Sequence, residues 1–252
     1  MPAGGGVKHS AHLPRRVETK RRHGHTPQMQ HGDEREPVMV MVEDSPDARL
    51  FIELSSLASD LTEADHALEL AVRSSDVEST LADARPYLVG YAVVAYCRTI
   101  LHSNVRRPLE DHIQIPQEFL ATHDTIKAFR NATIAHSQSD LAVTYPIGVL
   151  APDTLEVKHV SAATVVNTLP WLVVRQFREL LAALADSLDE AITPVRQRLE
   201  NQLRAADRRR MAKSGIKPQS LDKLAEEFEP RSKRSAYPTG HTFYWDRTDD
   251  SL

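Results

Sequence analysis

The sequence predicts a mainly α-helical protein, an antiparallel helical bundle with a small β-hairpin insertion and disordered termini. Three observations predict it. Apolar residues recur every three or four positions in long segments, as in Val173, Phe177, Leu180, Leu184, Leu188, Ile192, Val195, Leu199 and Leu203. Two β-like runs, LAVTYPIGVL and TLEVKHV, flank Ala151-Pro152-Asp153, and a Pro-Asp pair between such runs favours a hairpin turn. Residues 1–37 are rich in Gly, His, Arg and Lys and nearly lack large apolar side chains, so they cannot offset the entropy of ordering. The expected organisation is a basic, His-rich tail over 1–37, a helical domain over 38–215 and a flexible C-terminal tail over 216–252.

Each element has a local signature. VMVMV at 38–42 reads as a short strand or a hydrophobic strap. Ser45-Pro46 opens the first helix, since Ser is a good N-cap and Pro suits the first helical position. Leu50, Leu54, Leu57 and Leu61 then follow at helical spacing. Ser75 and Glu78 have capping-box spacing for a second helix, which carries Leu81, Leu88, Tyr91, Val94, Ala95 and Ile100. Pro86 is expected to kink or restart it. Pro116 starts a third helix that runs through Phe119, Ile126 and Phe129 to about His136. Pro170 opens the long last helix, which Thr193-Pro194 is expected to kink or divide. Beyond it lie the basic run RAADRRRMAKSGIK, the weakly amphipathic LDKLAEEF and the aromatic cluster Phe243-Tyr244-Trp245.

Composition narrows the function. The formal net charge is −4, so any field that attracts nucleic acid is local. Cys97 is the only cysteine; an intrachain disulfide and Cys-based zinc motifs are excluded, as suits a cytoplasmic protein. The longest apolar run, Tyr87 to Cys97, is well short of the ~20 residues that a membrane span needs. The N-terminal segment has basic residues without a following apolar core, so it does not read as a secretory signal. No P-loop, no G-x-G-x-x-G, no G-x-S-x-G and no H-E-x-x-H occurs, and no cofactor is expected. Asn131-Ala-Thr matches a glycosylation sequon inside a predicted helix and is set aside. The tail histidines His9, His12, His23, His25 and His31 read as a polar tail, and no metal site is expected.

The informative segment is HDTIKAFRNATIAHS at 123–137. On a helix His123, Lys127 and Arg130 form one stripe, with Ile126 and Phe129 on the adjacent apolar side. Arg106 and Arg107 in the preceding loop add positive charge suited to phosphate, and a histidine that titrates near neutrality can act as acid or base. At about 100° per residue, the six steps from Arg130 to His136 leave the two about 120° apart. They converge only if the helix frays, the arginine wraps round, or a second chain completes the site. The plain alternative is a surface Arg130 beside a helix end closed by Asn131 and His136, since a histidine there is favoured by the helix dipole. Arg98 with Tyr91 and Tyr96 reads either as bundle packing or as part of a binding face.

Arg130-Asn131 followed by Ile134-Ala135-His136-Ser137 resembles the R-x(4–6)-H motif of HEPN domains. His123 resembles a histidine found about two turns upstream in some members. Tyr96-Cys97-Arg98-Thr99-Ile100 resembles a Tyr-x-Arg-x-aromatic pattern, with Ile100 departing from the aromatic. The resemblance spans roughly residues 47–210 and implies a helical bundle that forms a homodimer. It implies a metal-independent endoribonuclease of a toxin–antitoxin or anti-phage defence type, with an antitoxin or other partner protein, or else a non-catalytic module that binds RNA, a nucleotide or a partner protein. On the catalytic reading Arg130, Asn131 and His136 form the site. His136 moves the proton of the ribose 2′-OH or of the leaving oxygen, Arg130 stabilises transition-state charge and Asn131 orients it. Lys127, Arg106, Arg107, His123 and Arg98 are then the RNA-binding residues.

Overall fold

The structure, a computed structural model, describes residues 38–74, 82–136, 138–214, 218–230 and 235–246. Its frame is three long helices. α1 spans Pro46–Arg73, α2 Arg85–Ile100 and α4 Trp171–Ala205. α1 packs against both α2 and α4, and the shorter α3, Leu120–Phe129, lies against α2 and α4. The expected helical bundle is present. No described helix is long and apolar enough to cross a membrane.

Capping and periodicity place α1 and α4 as expected. Ser45 Oγ accepts from the Ala48 backbone N–H at 3.1 Å, and Pro46 occupies the first turn, where a missing N–H costs nothing. Leu54, Leu57, Leu61, Ala64, Leu68 and Ala71 make the buried stripe of α1. Phe177, Leu180, Leu184, Leu188, Ile192, Val195 and Leu199 make that of α4. Of the expected kink or division at Pro194, the division does not occur: α4 runs unbroken through the proline. The apolar stripe on both sides of the proline stays packed on the core, and that burial holds the helix together across one missing hydrogen bond.

α2 begins at Arg85, with Pro86 in its first turn, which is the restart at the proline and not the kink. The proposed Ser75–Glu78 capping box lies outside the described residues. The buried face is Val89, Ala92, Val93, Tyr96 and Ile100, whereas Tyr91 and Val94, expected in the core, are 47% and 37% exposed. A helix apolar on nearly every side has no periodicity from which to choose its inner face.

Between α3 and α4 an antiparallel hairpin pairs β1, Ala142–Leu150, with β2, Val157–Val166. A bulge follows Val149, and the turn over 151–156 closes with Ala151 N–H on Glu156 O at 2.9 Å. The hairpin stands off the bundle: every residue of β2 is exposed.

A short helix, α5, spans Arg208–Ser214 at the end of the expected helical domain. Within the segment expected to be a flexible C-terminal tail, β3, Gln219–Leu224, pairs in parallel with β4, Gly240–Trp245. LDKLAEEF is therefore strand and tight turn, not an amphipathic helix. A Cβ at Gly240 would lie 2.6 Å from the Gln219 carbonyl oxygen, so β4 can open only on glycine. In the connection the Tyr237 hydroxyl donates to the Val42 carbonyl. Residues 38–42 are an irregular strap, with Val42 packed against the core.

Candidate functional site

α3 begins after Pro116 and a tight turn over Gln117–Phe119. It buries His123 and Ile126 and half-buries Phe129. At Arg130 the helix widens. Arg130–Ala135 is a π-helical turn, with i→i+5 hydrogen bonds, a rare feature that is frequent at functional sites. Gln138 N–H closes it on the Ala132 carbonyl at 2.7 Å. Ile134 anchors the turn on the core beside α2. The regular-helix offset between Arg130 and His136 does not apply to such a turn. The motif coincides with the one place where this helix leaves regular geometry.

A cleft of about 620 Å³ lies between the π turn, the end of α2 and the loop after it. Cys97, Val94 and Ile134 form its apolar part, while Arg98, Arg106, Arg130, Asp60, His102 and Ser103 supply its polar groups. Burial pushes the Cys97 thiol up to about 11, against the opposing charges of Arg130 and Lys127, so the thiol stays protonated and inert near neutrality.

The three cleft arginines are not equivalent. Arg106 is nearly buried, and its guanidinium pairs with Asp60 and donates to Ser56 O at 2.9 Å and Arg98 O at 3.1 Å. Arg98 pairs with Asp60 at 2.8 Å and with Glu63. The hydrogen bonds from Tyr91 and Arg98 hold the Glu63 carboxyl below its ordinary value. Arg130 donates to Asn131 Oδ1 at 3.0 Å, and among the described residues it has no acidic partner within ion-pair distance. A guanidinium in a cleft, with no carboxylate partner among the described residues, is suited to a phosphate or other anion.

The remaining expected residues divide. Asn131 and His136 are exposed on the π turn, but His136 is not among the groups that line the cleft. Lys127 is half-buried in the last turn of α3. Arg107 lies outside the cleft, paired with Glu53 at 3.0 Å, and Glu53 also meets His112 Nε2 at 2.9 Å. His123 is a correction: it is 4% exposed, with Nδ1 hydrogen-bonded to the Tyr96 hydroxyl at 2.7 Å. It is one of the buried polar groups of the core. Burial pushes its pKa down, partly offset by Glu110, whose carboxylate is 3.6 Å from Nε2.

His102 and Ser103 were not singled out by sequence. The only available signal was their position in HSN directly after the apolar run of α2. Of the basic run, Arg204 pairs with Glu200 at 2.8 Å, and Arg208 and Arg209 are exposed on α5. Phe243 and Trp245 lie on β4, about half exposed. Among the described residues no group of three or more His, Cys, Asp or Glu side chains is placed to hold a metal ion. No protein-family model, curated protein or solved structure matches the chain.

Proposed function

We propose that the chain is a cytoplasmic HEPN-like protein whose cleft binds the phosphodiester backbone of RNA, and that Arg130, Asn131 and His136 cut that backbone without a metal. The observation that carries the reading is Arg130: a guanidinium with no carboxylate partner among the described residues, on a π-helical turn, lining a cleft of ligand size. His136, exposed at the end of the same turn, moves a proton at the attacking 2′-OH or the leaving 5′-oxygen. Arg130 stabilises the charge that grows on the phosphorus oxygens. In this reading the second proton transfer falls to His102, which lines the cleft. A growth-arrest or defence role, with an antitoxin that neutralises it, belongs to the same proposal.

Binding without cutting is a second reading, favoured by the absence of His136 from the cleft lining. Cleavage of total RNA by the purified chain separates the two. On the catalytic reading, His136→Ala lowers the rate about 10²–10⁴-fold and Arg130→Ala about 10²–10³-fold, cutting persists in EDTA, and DNA is spared for want of the 2′-OH. Undiminished cutting by His136→Ala removes that residue from the mechanism. RNA binding without any cutting leaves the non-catalytic reading.

A further inference from the structure

The hairpin is a two-stranded sheet with both faces open, which is marginal in water by itself; three or more strands, or a packed face, are needed for stability. Tyr145, Ile147, Val160, Val165 and Val166 are all between 42% and 71% exposed. Its two outer edges differ. Asn167 N–H bonds the Leu141 carbonyl, so 141 and 167 form a hydrogen-bonded pair. With the register Ala142↔Val166 through Gly148↔Val160, alternation leaves residues 142, 144, 146 and 148 of β1 and 160, 162, 164 and 166 of β2 with their backbone groups facing outward.

On the β1 edge Pro146 has no N–H, and the Ala142 N–H is already bonded to the Ser139 carbonyl. That edge is blunted, as edge strands commonly are. On the β2 edge Val160, Ala162, Thr164 and Val166 keep all their donors and acceptors. No backbone hydrogen bond from them to another segment occurs among the described residues. The run VSAATVV over 160–166 has no charge, no proline and no glycine, the composition of a strand open to pairing. Lys158 and His159 lie just outside it.

We propose that β2 pairs antiparallel with β2 of a second copy of this chain, giving a four-stranded sheet across a two-fold axis at Ala163. In this register Val160 meets the partner's Val166 and Ala162 meets the partner's Thr164, so every outward backbone group is used and no charge opposes its like. The two small Ala163 side chains meet at the axis. One apolar face then joins Val143, Tyr145, Ile147, Ala163 and Val165 with their symmetry copies. The occupant is a second copy because the edge is complementary to itself and carries nothing that selects a charged partner.

Sedimentation of the full chain at micromolar concentration tests this. The wild type is expected to run as a dimer. Ala162→Pro removes an outward N–H without touching the β1–β2 ladder, so it is expected to be monomeric with unchanged helical circular dichroism. Ala163→Cys places two thiols at a non-hydrogen-bonded pair with Cα atoms about 4.5 Å apart, within the range of roughly 4.4–6.8 Å for a disulfide. It is expected to cross-link on mild oxidation. Thr144→Cys, on the blunted strand, is not, and buried Cys97 stays out of the reaction. A monomeric wild type, a dimeric Ala162→Pro, or a dimer that Ala163→Cys fails to cross-link overturns the proposal. The readout is association alone, so it stands or falls independently of RNA binding in the cleft.

Discussion

The arginines of the cleft and Arg107 beside it fall into two groups that behave oppositely. Arg98, Arg106 and Arg107 are each closed by a carboxylate, from Asp60, Glu63 or Glu53. Arg130, on the π turn, leans only on the amide oxygen of Asn131. All three carboxylates come from α1, so the paired set fastens the end of α2 and its following loop to that helix. Positive charge in this region is therefore plentiful in the sequence but mostly spent on structure. What remains for a ligand is the residue whose counter-charge the fold does not provide.

The largest expected effect tests the structural half of this contrast. Arg106 and Asp60 each keep little more than a tenth of their side chains exposed, and breaking a buried pair by removing one partner typically costs about 3–5 kcal/mol. Arg106→Ala is expected to lose that much in urea denaturation. Replacing both, Arg106→Met with Asp60→Leu, is expected to recover most of it, because no unpaired charge is then left inside. A loss below about 1 kcal/mol for Arg106→Ala, the value of an exposed pair, would erase the distinction between the two sets.

A smaller effect concerns the core pair of Tyr96 and His123, of which His123 was the expected RNA-binding residue. Tyr96→Phe leaves His123 Nδ1 buried without its partner, which costs about 1–3 kcal/mol. The same histidine gives a pH dependence. Its folded-state pKa lies below its ordinary value, so the unfolded chain binds the proton more readily. The stability it contributes is complete above the unfolded value of about 6.5 and is lost as pH falls towards the folded value. Thermal unfolding between pH 8 and 5, compared with His123→Gln, is the measurement; the wild type is expected to lose stability on acidification more steeply than the variant.

What was legible in the sequence follows from which physical signals are local. Ser45 and Pro46 fix the start of α1 within a few residues, and the one-sided stripe of α4 names its buried face almost residue by residue. The face of α2 was illegible because YLVGYAVVAYC is apolar all round, and Tyr96 is turned inward by its contacts with His123 of α3 and Phe177 of α4 while the Tyr91 hydroxyl reaches Glu63 at the surface. The continuity of α4 through Pro194 was hidden for the same reason: burial outweighs a local breaker. At the site, the motif gave Arg130, Asn131 and His136. It did not give the π turn, the enclosure by His102 and Ser103, or the burial of His123, because each depends on contacts between segments far apart in the chain. Charge in the sequence could not separate Arg106 from Arg130, since the carboxylates that distinguish them lie about 50 to 80 positions away on α1.

The smallest effect on stability is the sharpest test of the contrast. Arg130 is partly exposed and, among the described residues, its side chain bonds to its neighbour Asn131, so Arg130→Ala is expected to change unfolding free energy by no more than about 0.5 kcal/mol, as surface substitutions usually do. Its effect on ligand binding is expected to be large by comparison. For single-stranded RNA the slope of log affinity against log salt is about 0.7 per phosphate neutralised, so loss of one contact lowers the slope by about that amount. Arg107→Ala provides the control, because its guanidinium is committed to Glu53 outside the cleft and its removal is expected to leave the slope unchanged. Equal changes in slope for the two variants would mean that binding follows overall positive charge and not the unpaired cation of the π turn. An unchanged slope for Arg130→Ala with RNA still bound would move the phosphate contact elsewhere, to Arg208 and Arg209 of α5 or to another exposed basic face. A fall confined to Arg130→Ala, at constant stability, would assign the contact to the one cleft arginine that the fold leaves without a carboxylate.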